Sequence, residues 1–431
     1  MGRTQNSSSA AEPPTTRSDE GERRRVAVAM LAAGLAVFAL LYSAQPVLPQ
    51  LAEEYGLGPG GASLAVSAAT AGLAVAVLPL ALASERFGRR PVMVAAVVAA
   101  VVIGFLVPLA PTFELLVAAR AAQGMAIAGL PAAATAYLAE RGRGRGLGAM
   151  IGLYIAGNTL GGMAGRVVAG VLAGLSDWRT GVAVVTLLAA ACATVFVLLL
   201  PRQGVPTRPA RTGGRVLAAG VVAALGRREL YGPYLVAALG MGGFVALYNV
   251  VGFRLSAPPF LVAPAVASLV FLAYAAGSVS SPVAGRLADR FGPRRVLGGT
   301  LGVTVAGTLL TLSGHLLVVV VGLVVLTAGF FASHATANGW LGRRSAHWAR
   351  GQAAAVYWLS YYLGSSVGGT LGGLAYGAWG WPGTVAVVCP WFLVAALGVA
   401  VLGRAGEPPP GPPPAAPGSG EDATGRPASP R

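Results

Sequence analysis

Apolar residues are grouped along this chain in long runs, and polar residues are confined to shorter segments between them. A helix needs roughly 20 apolar residues to cross the hydrocarbon core of a bilayer. Twelve runs approach or exceed that length, and a soluble protein could imitate one of them but not twelve in series. The runs are Val26–Leu48, Ala62–Ala83, Val92–Leu109, Phe113–Leu138, Leu147–Leu175, Thr180–Leu200, Tyr231–Val251, Val262–Ala284, Val296–Leu312, Leu316–Trp340, Ala353–Tyr376 and Thr384–Leu402. The pattern predicts an all-α membrane protein with twelve transmembrane helices.

The composition agrees with a chain that lies mostly in lipid. Of its 431 residues, 55% are hydrophobic and 11% are charged, whereas a soluble globular domain carries about 25% charged residues. The apolar core of the first run is too long for a cleaved signal peptide, and Tyr42 stands where cleavage at Ala44 would need a small side chain. We therefore expect the first helix to be retained. Cys192 and Cys389 lie in apolar runs and indicate neither a disulfide framework nor a thiolate metal site.

The net charge of +16 comes from 31 basic residues, all of them arginine, against 15 acidic residues. Such an excess is typical of nucleic-acid binding when it forms a patch. With the N-terminus inside and the spans alternating, 27 of the 31 arginines fall in inner segments, and two, Arg179 and Arg254, fall in outer loops. The other two, Arg120 and Arg166, fall within spans. This positive-inside bias predicts a protein of the cytoplasmic (inner or plasma) membrane with both termini in the cytoplasm, and it requires no nucleic acid.

Three polar segments divide the chain. Residues 1–22 and 405–431, the latter with nine prolines, have the composition of disordered tails. A third polar segment, Pro201–Glu229, separates the sixth run from the seventh. The predicted organisation is a disordered cytoplasmic tail over 1–22, a six-helix bundle over 23–200, a cytoplasmic linker over 201–229, a second six-helix bundle over 230–404 and a disordered Pro-rich tail over 405–431.

The two sets of six runs look like copies of each other. The matching segments are Phe38–Tyr42 with Phe244–Tyr248, 206 residues apart, Glu85–Gly88 with Asp289–Gly292, 204 apart, and Gly157–Gly162 with Gly364–Gly369, 207 apart. Three matches in the same order at a nearly constant offset predict two six-helix repeats. In transporters built from such repeats, the substrate site lies at the repeat interface near the bilayer midplane.

Four motifs carry a resemblance to a known family. The loop sequence GRLADRFGPRR at 285–295, with a looser copy ERFGRR at 85–90, resembles the loop signature of the major facilitator superfamily. The sequence RAAQG at 120–124 is similar to the signature of its proton-driven members, and GNTLGG at 157–162 is similar to its drug-antiporter motif, with Asn158 where that motif has Pro. The resemblance extends from about residue 26 to about residue 403. It implies the major facilitator fold and a twelve-helix efflux transporter of the drug- or sugar-exporter type.

Both loop motifs are candidates for a conformational latch that shuts the cytoplasmic side in one state of the transport cycle. Because the positive end of a helix dipole favours carboxylates, we expect Glu85 to face the start of the eleventh helix near Gln352, and Asp289 to face the start of the fifth near Gly146. The neighbouring arginines would bind carboxylates such as Glu140 or anionic lipid headgroups, while Arg89 and Arg295 would only anchor the topology. The latch residues would be Glu85, Arg86, Gly88, Arg90, Asp289, Arg290, Gly292 and Arg294.

Two arginines within the spans are candidates for the transport pathway. An arginine at the centre of a membrane helix costs about 2.5–3.5 kcal/mol on insertion scales, so it is rare without a role. The repeat counterpart of Arg120 is Val325, so this charge is not part of the duplicated scaffold. We expect Arg120 to face a cavity with Gln123 as its hydrogen-bond partner. For Arg166 two positions are equally expected: its side chain faces the same cavity, or it extends to the membrane surface.

The remaining pathway candidates are amide and aromatic side chains. They are Tyr42 and Gln45 in the first helix, Asn158 in the fifth, Tyr248 and Asn249 in the seventh, and Tyr361 in the eleventh. The family architecture implied by the resemblance places several of them around a central cavity, together with Tyr357, Trp358 and Tyr362. Helix packing and the aromatic belt at the membrane surface are the alternative assignments, and His334 is assigned either to the path or to structure. The glycine runs of the fifth and eleventh helices indicate close helix packing.

The energy source must be secondary, because a chain without lysine has no ATP-binding loop of the Walker type. Proton coupling is implied by the resemblance at Arg120, although every carboxylate outside the tails lies at or near a helix end. We therefore expect a secondary active transporter that exports a small molecule by alternating access and proton antiport. An importer or facilitator of a small solute, including an anion that pairs with Arg120, is the alternative.

A membrane sensor or an embedded enzyme is a third, weaker interpretation. The chain has neither a clustered metal-binding set nor a Ser-His-Asp arrangement, and no folded soluble domain is predicted. No cofactor or metal is expected. The expected partners are a small-molecule substrate, protons and membrane lipids, and the family resemblance implies a monomer.

Overall fold

The computed structural model describes residues 17–141, 147–202 and 214–402. Within these ranges every regular element is a helix. The predicted tails lie mostly outside the described residues. The first helix begins at Arg17, so residues 17–22, which we predicted to belong to a disordered tail, are helical.

The first six long helices form the N-half. α4 is interrupted for one residue at Ala128. The bounds are α1 Arg17–Tyr42, α2 Pro59–Phe87, α3 Arg89–Leu106, α4 Phe113–Ile127 with Gly129–Arg141, α5 Leu147–Leu175 and α6 Trp178–Leu199.

The last six form the C-half, and two of them contain irregular turns. α7 has a π-helical turn at Val236–Gly240, and α8 has a 3₁₀ segment at Ser268–Tyr274. The stretch Arg350–Leu402 leaves helical geometry at Gly380, where φ is +63° and ψ is −162°, so it holds two helices. The bounds are α7 Tyr231–Leu235 with Met241–Ser256, α8 Pro264–Ala267 with Ala275–Phe291, α9 Pro293–Leu310, α10 Leu316–Arg344, α11 350–379 and α12 381–402.

Nine helical segments of the described chain are long and apolar enough to cross a membrane. Two further long helices, α5 and α9, have 29 and 18 residues, and the break at Gly380 divides the last of the nine segments into two. The twelve predicted helices are therefore present, and their even number brings Arg17 and Leu402 to the same side of the bundle. We call this the terminal side and the opposite one the closed side.

Glycines set the helix packing equally in both halves. A Cβ atom on Gly157 would lie 2.5 Å from the carbonyl oxygen of Leu31, and Gly161 and Gly165 also meet the backbone of α1. Their repeat counterparts in α11 meet α7 in the same way, at Gly364, Gly368 and Gly372. Small residues let membrane helices approach closely, so the predicted role of these glycines in packing matches the structure.

α1 and α7 lie at the centre of the bundle. In their apolar windows 61% and 78% of the residues are buried, against 50% or less in the other candidate spans. The predicted linker holds the helix Gly214–Gly226, whose Gly220 lies against Gln352 at the start of α11.

Candidate functional site

The two halves meet on the closed side along a seam formed by α2 with α11, α5 with α8, and the segment after α1 with α7. A Cβ atom on Gly373 would lie 2.7 Å from the carbonyl oxygen of Pro59, and one on Gly174 would overlap the amide nitrogen of Ala265. The Ser366 hydroxyl donates to the Ser67 carbonyl oxygen at 2.9 Å. A cavity on this side of the seam measures about 30 Å³, which leaves little more than the room for one water molecule.

A chain of polar side chains crosses the seam next to these glycines. Arg166 Nε of α5 donates to Gln45 Oε1 at 2.5 Å, and Gln45 Nε2 donates to Asn249 Oδ1 of α7 at 2.7 Å. All three side chains are buried. The two amides that we predicted for the pathway therefore bond to each other and join the turn after α1 in the N-half to α7 of the C-half.

The Arg166 guanidinium lies within an aromatic cage, which we define as the rings of Tyr42, Phe271 and Tyr274. Its central carbon is 3.9 Å from the ring centre of Tyr42, 4.4 Å from that of Tyr274 and 5.7 Å from that of Phe271. Arg166 Nη1 also donates to the Gly162 carbonyl oxygen at 2.6 Å. Because Tyr42 belongs to the N-half and the other two rings to the C-half, the cage joins the halves.

Arg120 has different surroundings, since backbone carbonyl groups take most of its donors. Nε donates to the Ala65 oxygen of α2 at 2.8 Å, and Nη1 donates to the Leu40 oxygen of α1 at 2.9 Å. Further bonds reach the Leu41 oxygen and Gln123 Oε1, and Gln123 Nε2 donates to the Ala100 oxygen of α3. The predicted Arg120–Gln123 contact is present, but it forms part of a brace that joins α1, α2, α3 and α4.

Neither buried arginine is neutralised within the described residues. Arg120 and Arg166 are 1% and 2% exposed, and neither forms an ion pair with a carboxylate in that part of the chain. Four hydrogen bonds satisfy Arg120. Arg166 has two, together with the rings of its cage.

The other predicted aromatic residues extend from the cage into the C-half. Tyr248 shares a hydrogen bond of 2.7 Å with Thr327, and its ring centre lies 5.0 Å from that of Tyr274. Tyr361 lies 4.9 Å from the His334 ring, and His334 Nδ1 shares a hydrogen bond of 2.9 Å with the Tyr357 hydroxyl. These contacts make a nearly continuous aromatic surface on α7, α8, α10 and α11.

Asn158 stands apart from that surface. Its Oδ1 is buried without a hydrogen-bond partner among the described residues, and it faces Gly34 of α1, where a Cβ atom would lie 2.6 Å away. The side chain is thus at the α1–α5 contact, on the glycine-packed face of the N-half.

The first predicted latch residues contact their own half. Glu85 lies 3.7 Å from Arg89, which also donates to Glu140 at 3.3 Å and to the Ser84 hydroxyl at 2.6 Å. Glu140 is therefore bound by Arg89, which we had expected only to anchor the topology, and not by Arg86 or Arg90. Glu85 pairs with Arg89, four positions along the chain, because this partner is nearer than any residue of the opposite half.

The second copy also stays within its half. Asp289 lies 3.9 Å from Arg343 of α10, and its side chain is 76% exposed. The predicted neighbour of Asp289, Gly146, lies outside the described residues, and the predicted neighbour of Glu85, Gln352, lies against the linker helix at Gly220. The expected contacts of Glu85 and Asp289 with the opposite half are therefore not made among the described residues.

The loop motifs share a backbone geometry that only glycine adopts easily. Gly88 has φ +94° and Gly292 has φ +85°, and each ends one helix and begins the next. Positive φ is unfavourable for residues with a Cβ atom. The two predicted glycines thus set the same sharp turn between α2 and α3 and between α8 and α9.

The remaining latch arginines also follow the repeat. Arg86 lies 5.4 Å from the ring centre of Phe87, and Arg290 lies 5.1 Å from that of Phe291. Arg90 Nε donates to the Leu200 oxygen at the end of α6, and Arg294 Nη2 donates to the Ala400 oxygen at the end of α12. Arg90 and Arg294 therefore cap helix ends in the present state.

A larger cavity, of about 660 Å³, opens on the terminal side of the C-half. It is lined by residues from the loop after α8 and from the ends of α10 and α12, among them Arg294, Arg295, Arg343 and Arg344. Four cationic side chains at a membrane surface are suited to anionic groups. Within the described residues no three His, Cys, Asp or Glu side chains come together as metal ligands.

Sequence reasoning missed the two ring partners that Arg166 has in the C-half. Tyr274 and Phe271 lie in the 3₁₀ segment of α8, and no motif marks them. The available signal was an arginine within a membrane span opposite aromatic residues of the other repeat, but the helix rotation that brings them together is not visible in the sequence.

Comparison with known proteins places this fold in a family. The profile of the Major Facilitator Superfamily matches residues 26–273 and 252–430. The inner membrane transport protein YnfM of Escherichia coli is 38% identical over 86% of this chain and 89% of its own length. The uncharacterized MFS-type transporter YybF of Bacillus subtilis is 35% identical over 86% of this chain and 92% of its own length.

Solved structures share the architecture at low sequence identity. A bacterial homologue of the human lysosomal transporter Spinster superposes with a TM-score of 0.76 at 16% identity, over 89% of this chain and 97% of that one. The nucleoside transporter NupG superposes with a TM-score of 0.70 at 11% identity, over 89% of this chain and 100% of that one. These matches, with the twelve helices in two repeats, show that the chain belongs to the Major Facilitator Superfamily and is an integral membrane transporter.

Proposed function

We propose that the protein exports a small amphipathic molecule or sugar across the cytoplasmic membrane by alternating access, in exchange for protons. The observation that carries the proposal is the closed seam, which brings the two halves into backbone contact at Gly174 and Gly373. The arrangement is suited to rocking, because the halves are joined on one side and separable on the other. With both termini in the cytoplasm, the closed side is the outer one.

Rocking needs a cytoplasmic side that is free to close and reopen. The ion pairs of Glu85 and Asp289 are confined to their own halves in this state. We propose that Asp289 and Glu85 exchange these partners for the opposite half when the cytoplasmic side closes. The latch is then a property of the other state in the cycle.

Proton exchange requires a group within the membrane that can gain and lose a proton. The carboxylates of the described spans lie at or near helix ends, whereas His334 lies within α10 and bonds to the Tyr357 hydroxyl. Imidazole is the side chain whose ordinary pKa allows a charge change near neutral pH. We assign the coupling proton to His334.

The test is transport by the purified protein in liposomes with an imposed pH gradient. Solutes that differ in charge and polarity are screened, and the protein is expected to move at least one of them against its gradient when protons flow the other way. His334→Gln should abolish this dependence, while His315→Gln, in the loop before α10, should not. Movement that ignores the pH gradient, or that His334→Gln leaves unchanged, would contradict proton exchange.

An importer or facilitator of a small anion is the second candidate. It is favoured by one observation, namely that Arg166 carries a buried positive charge without a carboxylate partner in the described residues. The same liposomes distinguish it, since a facilitator moves solute down its own gradient at equal rates with and without a pH gradient.

Membrane lipids are the other partner that we propose. The arginine-lined cavity on the terminal side is open where lipid headgroups of the cytoplasmic leaflet would lie. Anionic lipids at that surface attract basic residues by about 1 kcal/mol for each one.

We propose that the protein works as a monomer.

A further inference from the structure

Two buried donor groups near Arg166 have no acceptor within the described residues. The Tyr274 hydroxyl and Asn249 Nδ2 are both buried and unpartnered. Arg166 Nη2 has no hydrogen bond there either, because the hydrogen bonds of Arg166 come from Nε and Nη1. Buried polar groups are nearly always hydrogen-bonded, so these unpaired donors call for an explanation.

The unpaired groups nearest Arg166 are donors, and the unpaired Ser67 hydroxyl lies farther along, beside Asn249 at Gly369. Tyr274 lies over the guanidinium at 4.4 Å, and Asn249 is one amide away through Gln45. A guanidinium and an amide nitrogen only donate, and a hydroxyl can donate. The missing partner is therefore an acceptor, and the unneutralised charge makes a negatively charged acceptor the better fit.

Arg120 serves as a comparison within the same protein. It is equally buried and equally without an ion pair, but three backbone carbonyls and Gln123 surround it. Four hydrogen bonds therefore satisfy the buried guanidinium of Arg120, whereas the guanidinium of Arg166 has only two within the described residues.

We infer that Arg166, Tyr274 and Asn249 form the binding site for a small organic anion, a carboxylate attached to a flat apolar group. The carboxylate would accept from Arg166, whose planar donors suit a carboxylate, and from Tyr274 and Asn249. The apolar group would lie on the aromatic surface that begins at Tyr248 and Phe271, where ring centres are 5.7 Å apart. The site deepens the proposed function, on which it rests for the direction and energy of transport.

The position of the site connects binding with the movement of the halves. Arg166 and Tyr42 belong to the N-half, whereas Phe271, Tyr274 and Asn249 belong to the C-half. An anion bound to all of them bridges the seam. Its negative charge balances the positive charge of Arg166, which the cage rings now stabilise. Occupancy therefore changes the balance between the closed seam and its open form.

The test measures binding to the full-length purified protein in detergent or nanodiscs. The probes are benzoate and 2-naphthoate, each paired with its neutral amide, which keeps the ring and removes the charge. We expect the two acids to raise the thermal unfolding midpoint with increasing concentration, and the amides to have little effect. Isothermal titration then gives the dissociation constants.

Variants separate the site from general stability. Arg166→Gln should weaken benzoate binding by about tenfold to a hundredfold, since a hydrogen-bonded charge is lost. Tyr274→Phe removes a single hydroxyl, keeps the ring and should weaken binding by a smaller factor, so it serves if Arg166→Gln does not fold. Arg254→Gln is the matched control, because Arg254 also lies over a ring, that of Phe260 at 4.8 Å, and also has an unpaired nitrogen.

Each outcome decides for or against the site. Binding of the acids that Arg166→Gln or Tyr274→Phe weakens and Arg254→Gln preserves supports it. Equal binding of acids and amides, binding that both site variants leave unchanged, or no binding of any acid overturns it. Proton exchange is tested separately in liposomes, so an anion site can stand if coupling fails, and coupling can stand if the anion site fails.

Discussion

Gln45, in the turn after α1, donates a hydrogen bond of 2.7 Å to Asn249 of α7 and thereby joins the N-half to one of the two most enclosed helices of the bundle. The same Gln45 accepts from Arg166 at 2.5 Å. One amide therefore links the seam to the buried charge. Any movement that separates the halves on the closed side must break the Gln45–Asn249 bond.

Replacing one amide of this pair should loosen the seam. Hydrogen bonds between membrane helices contribute about 0.6 kcal/mol on average, so Asn249→Ala is expected to raise the open population about threefold. The readout is alkylation of a reporter, Ala267→Cys, which is buried in the seam, after Cys192 and Cys389 are replaced by Ser. Ser360→Ala is the control, since its hydroxyl bonds only to its own helix at Val356. An unchanged alkylation rate for Asn249→Ala would show that the Gln45–Asn249 bond does not hold the seam closed.

A methyl group at a seam glycine should hold the closed side open. In Gly174→Ala the new Cβ atom would overlap the backbone of Ala265, so the helices must move apart. Overpacking costs about 1–3 kcal/mol, which predicts alkylation of the reporter at Ala267 between about fivefold and a hundredfold faster. Gly152→Ala, in the same helix with nothing within 4 Å, is the matched control. Equal rates for the two variants would show that the seam does not depend on these glycines.

Arg120 should behave as a structural residue. In Arg120→Gln the carbonyl groups of Leu40, Leu41 and Ala65 lose their donors, and each unsatisfied buried group costs about 1–3 kcal/mol. We expect a loss of at least about 3 kcal/mol in the free energy of unfolding, seen as a lower thermal midpoint. A variant with the wild-type midpoint that has lost transport would instead place Arg120 in the pathway.

One ion pair outside the spans gives a pH dependence with a definite sign. Glu54, in the short helix Leu48–Glu54, accepts two bonds from Arg179, at 2.6 and 2.8 Å, and one from Trp178, at 2.6 Å. The hydrogen bonds from Arg179 lower the pKa of Glu54, and the bond from Trp178 adds to this effect. The pair therefore stabilises the fold above the usual pKa range of a carboxyl group, and this contribution is lost as the pH falls through the lowered pKa.

The variant Glu54→Gln checks that prediction. It should lose less than about 1 kcal/mol near neutral pH, because the pair is partly exposed, and it should remove part of the decrease in thermal midpoint on acidification. Glu53→Gln, at the neighbouring exposed position, should keep the wild-type pH profile. If both variants keep that profile, the pair has no stabilising role.

The architecture could be predicted from the sequence because it depends on properties that every residue carries. The apolar runs gave the twelve helices, and glycines at a constant offset gave both the repeat and the α1–α5 and α7–α11 contacts. The positive φ of Gly88 and Gly292 agrees with the turn that the loop motifs imply. The helix in the linker, Gly214–Gly226, was not predicted, because the sequence around it is polar and basic.

The site could be predicted only in part. Gln45, Asn249 and Tyr42 were identified, but Arg120 and Arg166 are the same residue type in similar apolar helices, and the sequence does not distinguish them. Their difference comes from helix rotation, which turns Arg120 toward backbone carbonyls and Arg166 toward rings of the other half. The latch contacts depend on the state of the cycle, so their absence here follows from which side is closed.

Distances across both sides of the bundle, measured on one preparation, test alternating access most directly. Spin labels at Ser176 and Ala263 report the closed side, and labels at Phe87 and Phe291 report the terminal side, all in exposed positions. We expect two populations, with a short distance on one side always accompanied by a long distance on the other, and Gly174→Ala should shift the balance away from the closed seam. A single population on both sides, unchanged by Gly174→Ala, would contradict alternating access.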